Sequence, residues 1–183
     1  MDEGIKTISL SSLIKQFESN KVSLDKLRET LFTFKCCKNK EEEDFLHNDA
    51  IFFEQRNKAR TFLLERNNQI VGYYSLAFKS INLEAVSLSK RKDMTAGEAQ
   101  SETYSAYLIG HIAKADGVYE KLGYYMLDSA RDLIYEAQKY VGGRLIYIDC
   151  KDEEKLIRFY EDYGFKYFNT SPKTKLKQLY MKI

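Results

Sequence analysis

The strongest constraint on the fold is a change of hydrophobic period that repeats in order along the second half of the chain. Tyr104 to Ala113, YSAYLIGHIA, is strand-like. Gly123 to Val141 then sets Leu127, Ala130, Ile134, Ala137 and Val141 on one helical face, with Asp128, Arg131, Asp132, Gln138 and Lys139 opposite, and Gly142-Gly143 ends it. Arg144 to Cys150, RLIYIDC, reads as a buried strand. A second helix carries Leu156, Ile157, Phe159, Tyr160 and Tyr163, with Asp152 as its expected N-cap and Gly164 as its stop. Phe165 to Phe168 and Gln178 to Lys182 supply two more strands, joined across Pro172. Strand, helix, strand, helix, strand, strand predicts an α/β (α+β) fold, a mixed central sheet with helices on both faces.

The first half fits that plan. Between Ser9 and Phe34 apolar residues recur at helical spacings, which predicts two short helices broken near Ser19-Asn20. The acidic run Glu41 to Asp44 opens another helical pattern with Phe45, Leu46, Ala50 and Phe53 on one face. Such a run is expected to be a solvated first turn favoured by the helix dipole, with no catalytic weight. Thr61 to Glu65 and Ile70 to Phe78 are apolar and aromatic runs separated by Arg66-Asn67-Asn68-Gln69, a hairpin signal. Val86 to Gln100, VSLSKRKDMTAGEAQ, is expected as an exposed loop with a basic cluster at Lys90-Arg91-Lys92.

Size and charge narrow the classes. At 183 residues the chain fits one domain, 1–183. A formal charge of +2 is too balanced to announce a nucleic-acid surface. Cys36, Cys37 and Cys150 make neither a disulfide framework nor a zinc spacing, so no metal is expected and a reducing, cytoplasmic setting is. No stretch approaches the ~18 apolar residues of a membrane span, so no membrane partner is expected.

The segment HIAKADGVYEKLGYYMLDSA, His111 to Ala130, carries the most chemistry. A strand entering a helix through a loop aims backbone N–H groups and the positive end of the helix dipole at one point, which attracts phosphate. Gly117 and Gly123 flank the turn. Taken alone, the pattern is common in α/β proteins.

The next unit, DCKDEEKLIRFYEDYGFKYF, adds a second motif. It resembles the penultimate helix of the GNAT superfamily of acetyl-coenzyme A-dependent N-acetyltransferases, N-x-x-A-x-x-F-Y-x-x-x-G-F. Glu153, Leu156, Phe159, Tyr160, Gly164 and Phe165 occupy those places, so the F-Y-x-x-x-G-F core matches and the Asn and Ala do not. The stretch YLIGHIAK to YEKLGYYMLDSA is similar to the family's strand, pyrophosphate loop and helix. There the family's Q/R-x-x-G-x-G/A aligns with Val118, Lys121 and Gly123. A looser resemblance, in DFLHNDAIFF and TFLLERNNQIVGYYSL, extends to the branch that includes aminoacyl-tRNA-acetylating toxins.

The resemblance implies acetyl-CoA as co-substrate and a primary amine that attacks the thioester directly, in a small molecule, a protein or an aminoacyl-tRNA. It implies that Tyr160 is the general acid. The pantetheine arm would bond the backbone of Ile112, Ala113 and Lys114, and the pyrophosphate the amides of Tyr119, Glu120, Lys121, Leu122, Gly123 and Tyr124, with Lys121 adding charge. The base is not named by the sequence; Asp149, Glu102 and His111 are candidates by position or type. A non-catalytic acyl-CoA-binding module is the rival class. The 14 tyrosines could build an acceptor pocket or a homodimer surface.

Overall fold

A computed structural model describes residues 4–183, with strands β1 (Lys6–Ser9), β2 (Arg60–Arg66), β3 (Gln69–Asn82), β4 (Thr103–Lys114), β5 (Leu145–Cys150), β6 (Lys166–Thr170) and β7 (Lys177–Lys182). The helices are α1 (Leu10–Ser19), α2 (Leu24–Leu31), α3 (Lys40–Asp44), α4 (Ala50–Gln55), α5 (Leu88–Met94), α6 (Gly123–Val141) and α7 (Glu154–Tyr163). A π-helical turn, Phe45–Asp49, joins α3 to α4. The strands form one seven-stranded mixed sheet in the order β1, β2, β3, β4, β5, β7, β6. β1 with β2, β2 with β3, β5 with β7 and β6 with β7 are antiparallel, whereas β4 and β5 are parallel.

The chain divides into two compact units, residues up to Ala77 with His111–Ala130, and Phe78–Gly110 with Arg131–Ile183. In the first, β2 and β3 form the hairpin expected from the sequence. Its turn residues Asn67 and Asn68 both take the left-handed conformation, φ +53° and +61°, which Asn tolerates better than most residues. The core of this unit is Leu10, Leu27, Leu31, Phe34, Leu46 and Tyr73, drawn from the two short amino-terminal helices, the segment that follows α2, the π-turn and β3. Gly72 sits where β3 passes close to β4 and α6. A Cβ there would lie 3.1 Å from the Ala113 carbonyl and 3.1 Å from the Met126 sulfur.

In the second unit β5 lies beside β7, and Leu83, Met94, Ala106, Leu145 and Tyr147 form a fully buried core. The register between β4 and β5 covers Tyr107↔Ile146 and Leu108↔Tyr147, short for strands of 12 and 6 residues. Two expectations are corrected here. Residues 86–100 are not simply an exposed loop, since they contain α5. Met94 at its end is fully buried, and Arg91 donates to the carbonyls of Val86 and Glu84. The N-cap of α7 is Glu153, not Asp152, whose carboxylate instead meets Lys177 at 3.2 Å. Gly164 ends α7 at φ +116°, as read, and the amide of Phe165 donates back to the Tyr160 carbonyl at 3.0 Å.

Candidate functional site

β4 delivers Ile112, Ala113 and Lys114 into a loop of residues 115–122 that ends where α6 begins at Gly123. Several loop amides are already committed. Ala115 donates to the Val71 carbonyl at 3.0 Å, Asp116 to the Lys35 carbonyl at 2.7 Å and Leu122 to the Glu120 carbonyl at 3.0 Å. Asp116 also accepts from the Cys37 amide at 2.9 Å, and that bond holds its carboxyl below the usual range. These bonds fix the two ends of the loop and leave its tip in water: Tyr119 is 94% exposed, and Gly117, at φ +76°, has no atom within 4 Å of where a Cβ would stand.

Charge at the tip is arranged in one sense. The Glu120 carboxylate is held by Arg66 at 2.7 Å, which lowers its pKa and raises that of the guanidinium. Lys114 donates to the Glu120 carbonyl at 3.1 Å, and Lys121 is exposed. Arg66 thus neutralises the Glu120 carboxylate, while Asp116, nearer the start of the loop, is tied to the Cys37 amide, and the first-turn amides of a 19-residue helix point out of its end. The arrangement fits a diphosphate. Of the residues expected to hold it, Leu122 stands apart, with a buried side chain and an amide turned back onto Glu120.

The base candidates divide sharply. Glu102 is exposed on its side chain, and its carbonyl accepts from Leu83 at 2.7 Å. Asp149 is engaged by the Tyr147 hydroxyl, by Gln178 at 3.2 Å and by Lys79 at 3.2 Å, and burial together with Asp149 pushes the Tyr147 phenol far up. His111 has a more specific setting. Its Nδ1 lies 2.8 Å from Glu42 Oε2, its ring stacks on Phe45 with centroids 3.6 Å apart, and its amide donates to Ser75 Oγ at 3.0 Å. Tyr73 donates to the Glu42 carbonyl at 2.6 Å and meets its carboxylate at 3.1 Å; burial first, and Glu42 second, raise that phenol strongly.

The acidic run is therefore only in part a solvated first turn: Glu41 and Asp44 are exposed, and Glu42 and Glu43 correct the expectation. Glu42 reaches His111, and Glu43 is buried, accepting from the Cys36 amide at 2.7 Å and from Lys40. Glu42 was missed, although a signal existed: it lies three residues before Phe45 and four before Leu46, on the apolar face of the same helical pattern. In the second unit Tyr160 is buried, edge-on to Phe159 at 5.1 Å and to Phe165 at 5.8 Å. Among the described residues no helix is long and apolar enough to cross a membrane, and no cluster of metal-ligating side chains occurs.

No protein-family model matches the chain, and no curated protein matches it. Solved structures do. A structure of AtaT complexed with acetyl-methionyl-tRNAfMet matches at TM-score 0.66 and 20% identity, covering 83% of this chain and 86% of that one. AtaTR bound with acetyl-CoA matches at TM-score 0.68 and 18% identity, over 100% and 94%. A tyrosine-to-phenylalanine mutant of KacT matches at TM-score 0.73 and 15% identity, over 98% and 95%. The seven-stranded mixed sheet with its flanking helices is a GNAT-like fold, shared over nearly its whole length with these proteins.

Proposed function

We propose that this protein is an N-acetyltransferase that moves an acetyl group from acetyl-CoA to a primary amine by direct attack, and that the amine belongs to an aminoacyl-tRNA. The observation that carries the reading is the β4, loop and α6 unit, with its anchored ends and its neutralised Glu120. Support for the co-substrate and acceptor comes from proteins of like fold, one solved with acetyl-CoA and one with an acetylated methionyl-tRNA.

In this reading the backbone of Ile112, Ala113 and Lys114 holds the pantetheine arm, and the amides of Tyr119, Glu120, Lys121, Gly123 and Tyr124 hold the pyrophosphate, with Lys121 as counter-charge. Binding both substrates in one orientation supplies much of the rate through lost translational freedom. Tyr160, on the F-Y-x-x-x-G-F motif, donates a proton to the departing thiolate. The protein acts on the cytoplasmic side of the cell as a single domain.

The test is calorimetry with acetyl-CoA, followed by transfer of labelled acetyl to unfractionated charged tRNA. Micromolar binding with transfer, and transfer lost by roughly 10²-fold or more in Tyr160→Phe with binding kept, is the expected result. Binding with no transfer to any amine would instead favour a non-catalytic acyl-CoA module.

A further inference from the structure

The π-turn, α3, β3 and β4 bring together a group that no part of the cofactor site uses. Glu42, Phe45, Tyr73 and His111 come from four elements, and each restrains the imidazole differently. The carboxylate faces Nδ1 at 2.8 Å and Phe45 lies flat against the ring at 3.6 Å. Tyr73 fixes the carboxylate from the far side. A π-turn inserts an extra residue into a helical ladder, and here it begins at Phe45, the residue that meets the ring.

A carboxylate on Nδ1 accepts the Nδ1 proton and leaves the Nε2 lone pair to take another. The imidazole is 34% exposed, so an outside proton can reach it, whereas Glu42 is 17% exposed and held. We propose that His111, oriented by Glu42, is the base that takes the proton from the acceptor's ammonium. This rests on the acetyltransferase reading above.

An amine must be uncharged to attack a thioester. The N–H bond of the ammonium breaks and its proton passes to Nε2, forming an imidazolium whose charge Glu42 balances, and water later removes it. The nitrogen then bonds the acetyl carbon and the C–S bond breaks. The second proton lost by nitrogen equals the one gained by the thiolate, so each turnover releases one proton. The titratable groups facing His111 are Glu42 from α3 and, through it, Tyr73 from β3; the Cys36 thiol lies close to both. Burial raises the phenol and the thiol, so neither loses its proton near neutrality.

Only two histidines are present, and their partners predict opposite tautomers. His47 Nε2 lies 2.9 Å from the Phe34 carbonyl, which can only accept, so its proton is on Nε2. Nitrogen-15 NMR of the neutral protein is expected to show one Nε2–H ring and one Nδ1–H ring, the latter lost in His111→Gln and shifted in Glu42→Ala. With acetyl-CoA and charged tRNA, His111→Gln is expected to lower kcat/KM by roughly 10²-fold or more at neutral pH, a loss that shrinks as pH rises and solvent deprotonates the amine. Glu42→Ala is expected to lose less, and Glu42→Asp to recover part. Calorimetry with acetyl-CoA on each variant separates a damaged fold from a missing base. An Nε2–H tautomer at His111, or an active wild type whose rate and pH profile survive His111→Gln, overturns the proposal. A wild type that transfers to no amine overturns the acetyltransferase reading, and this proposal falls with it.

Discussion

Glu54 shows how much a single carboxylate can hold. It is buried, accepts from the Thr61 amide at 2.6 Å and from Arg60 at 2.9 Å, and so ties the end of α4 to the start of β2. Glu54→Ala leaves a buried amide without its acceptor, and a loss of about 2–3 kcal/mol is expected in urea unfolding. Glu43 acts through pH. Lys40, then the Cys36 amide, hold its carboxyl down to about 2, against 4.5 ordinarily. A depressed folded pKa means that the stabilisation is complete above the unfolded value and lost as pH falls from about 4.5 toward 2. Acid melts of the wild type should therefore fall more steeply across that window than those of Glu43→Gln. None of these pairings was legible in the sequence. A run such as Glu41 to Asp44 is usually solvated, and the partner of Glu42 is 69 residues away. The helix that carries Tyr160 was legible, because its period and its Gly164 stop are local.

Elements were easier to read than partners, since period and punctuation are local properties. The 19-residue α6 spans Gly123–Val141 as its apolar stripe requires, and the β2–β3 hairpin turns at Asn67-Asn68. In a type I′ turn glycine relieves the left-handed cost, so Asn68→Gly is expected to raise stability by about 0.5–1 kcal/mol; a loss would mean that the Asn68 amide bond to Glu65, at 2.5 Å, depends on the asparagine backbone setting. The sequence hid α5, because seven helical residues inside a polar, glycine-containing stretch leave too little periodicity to detect. It hid β1 as well, a four-residue strand whose existence depends on pairing with β2. Gly72→Ala tests close packing between elements. Its Cβ would press on the Ala113 backbone carbonyl, and a destabilisation of about 1–2 kcal/mol is expected by urea midpoint.

At the scale of the whole molecule, the order of elements was readable, and the division into two compact units was not. β3, β4 and α6 each begin in one unit and end in the other, so neither unit can lose its structure without breaking an element of the other. One cooperative transition is expected, with circular dichroism and tyrosine fluorescence coincident; separated midpoints would count against a single domain. The anchoring of the 115–122 loop reaches across the chain too, because Asp116 is bonded to the amide of Cys37, 79 residues earlier. Cys36 and Cys150 are buried and Cys37 is exposed, so a maleimide reagent should label Cys37 selectively. Because Asp116 ties Cys37 to that loop, acetyl-CoA bound there is expected to change the rate at which the reagent labels Cys37. A single surface thiol would then serve as a gauge of nucleotide occupancy.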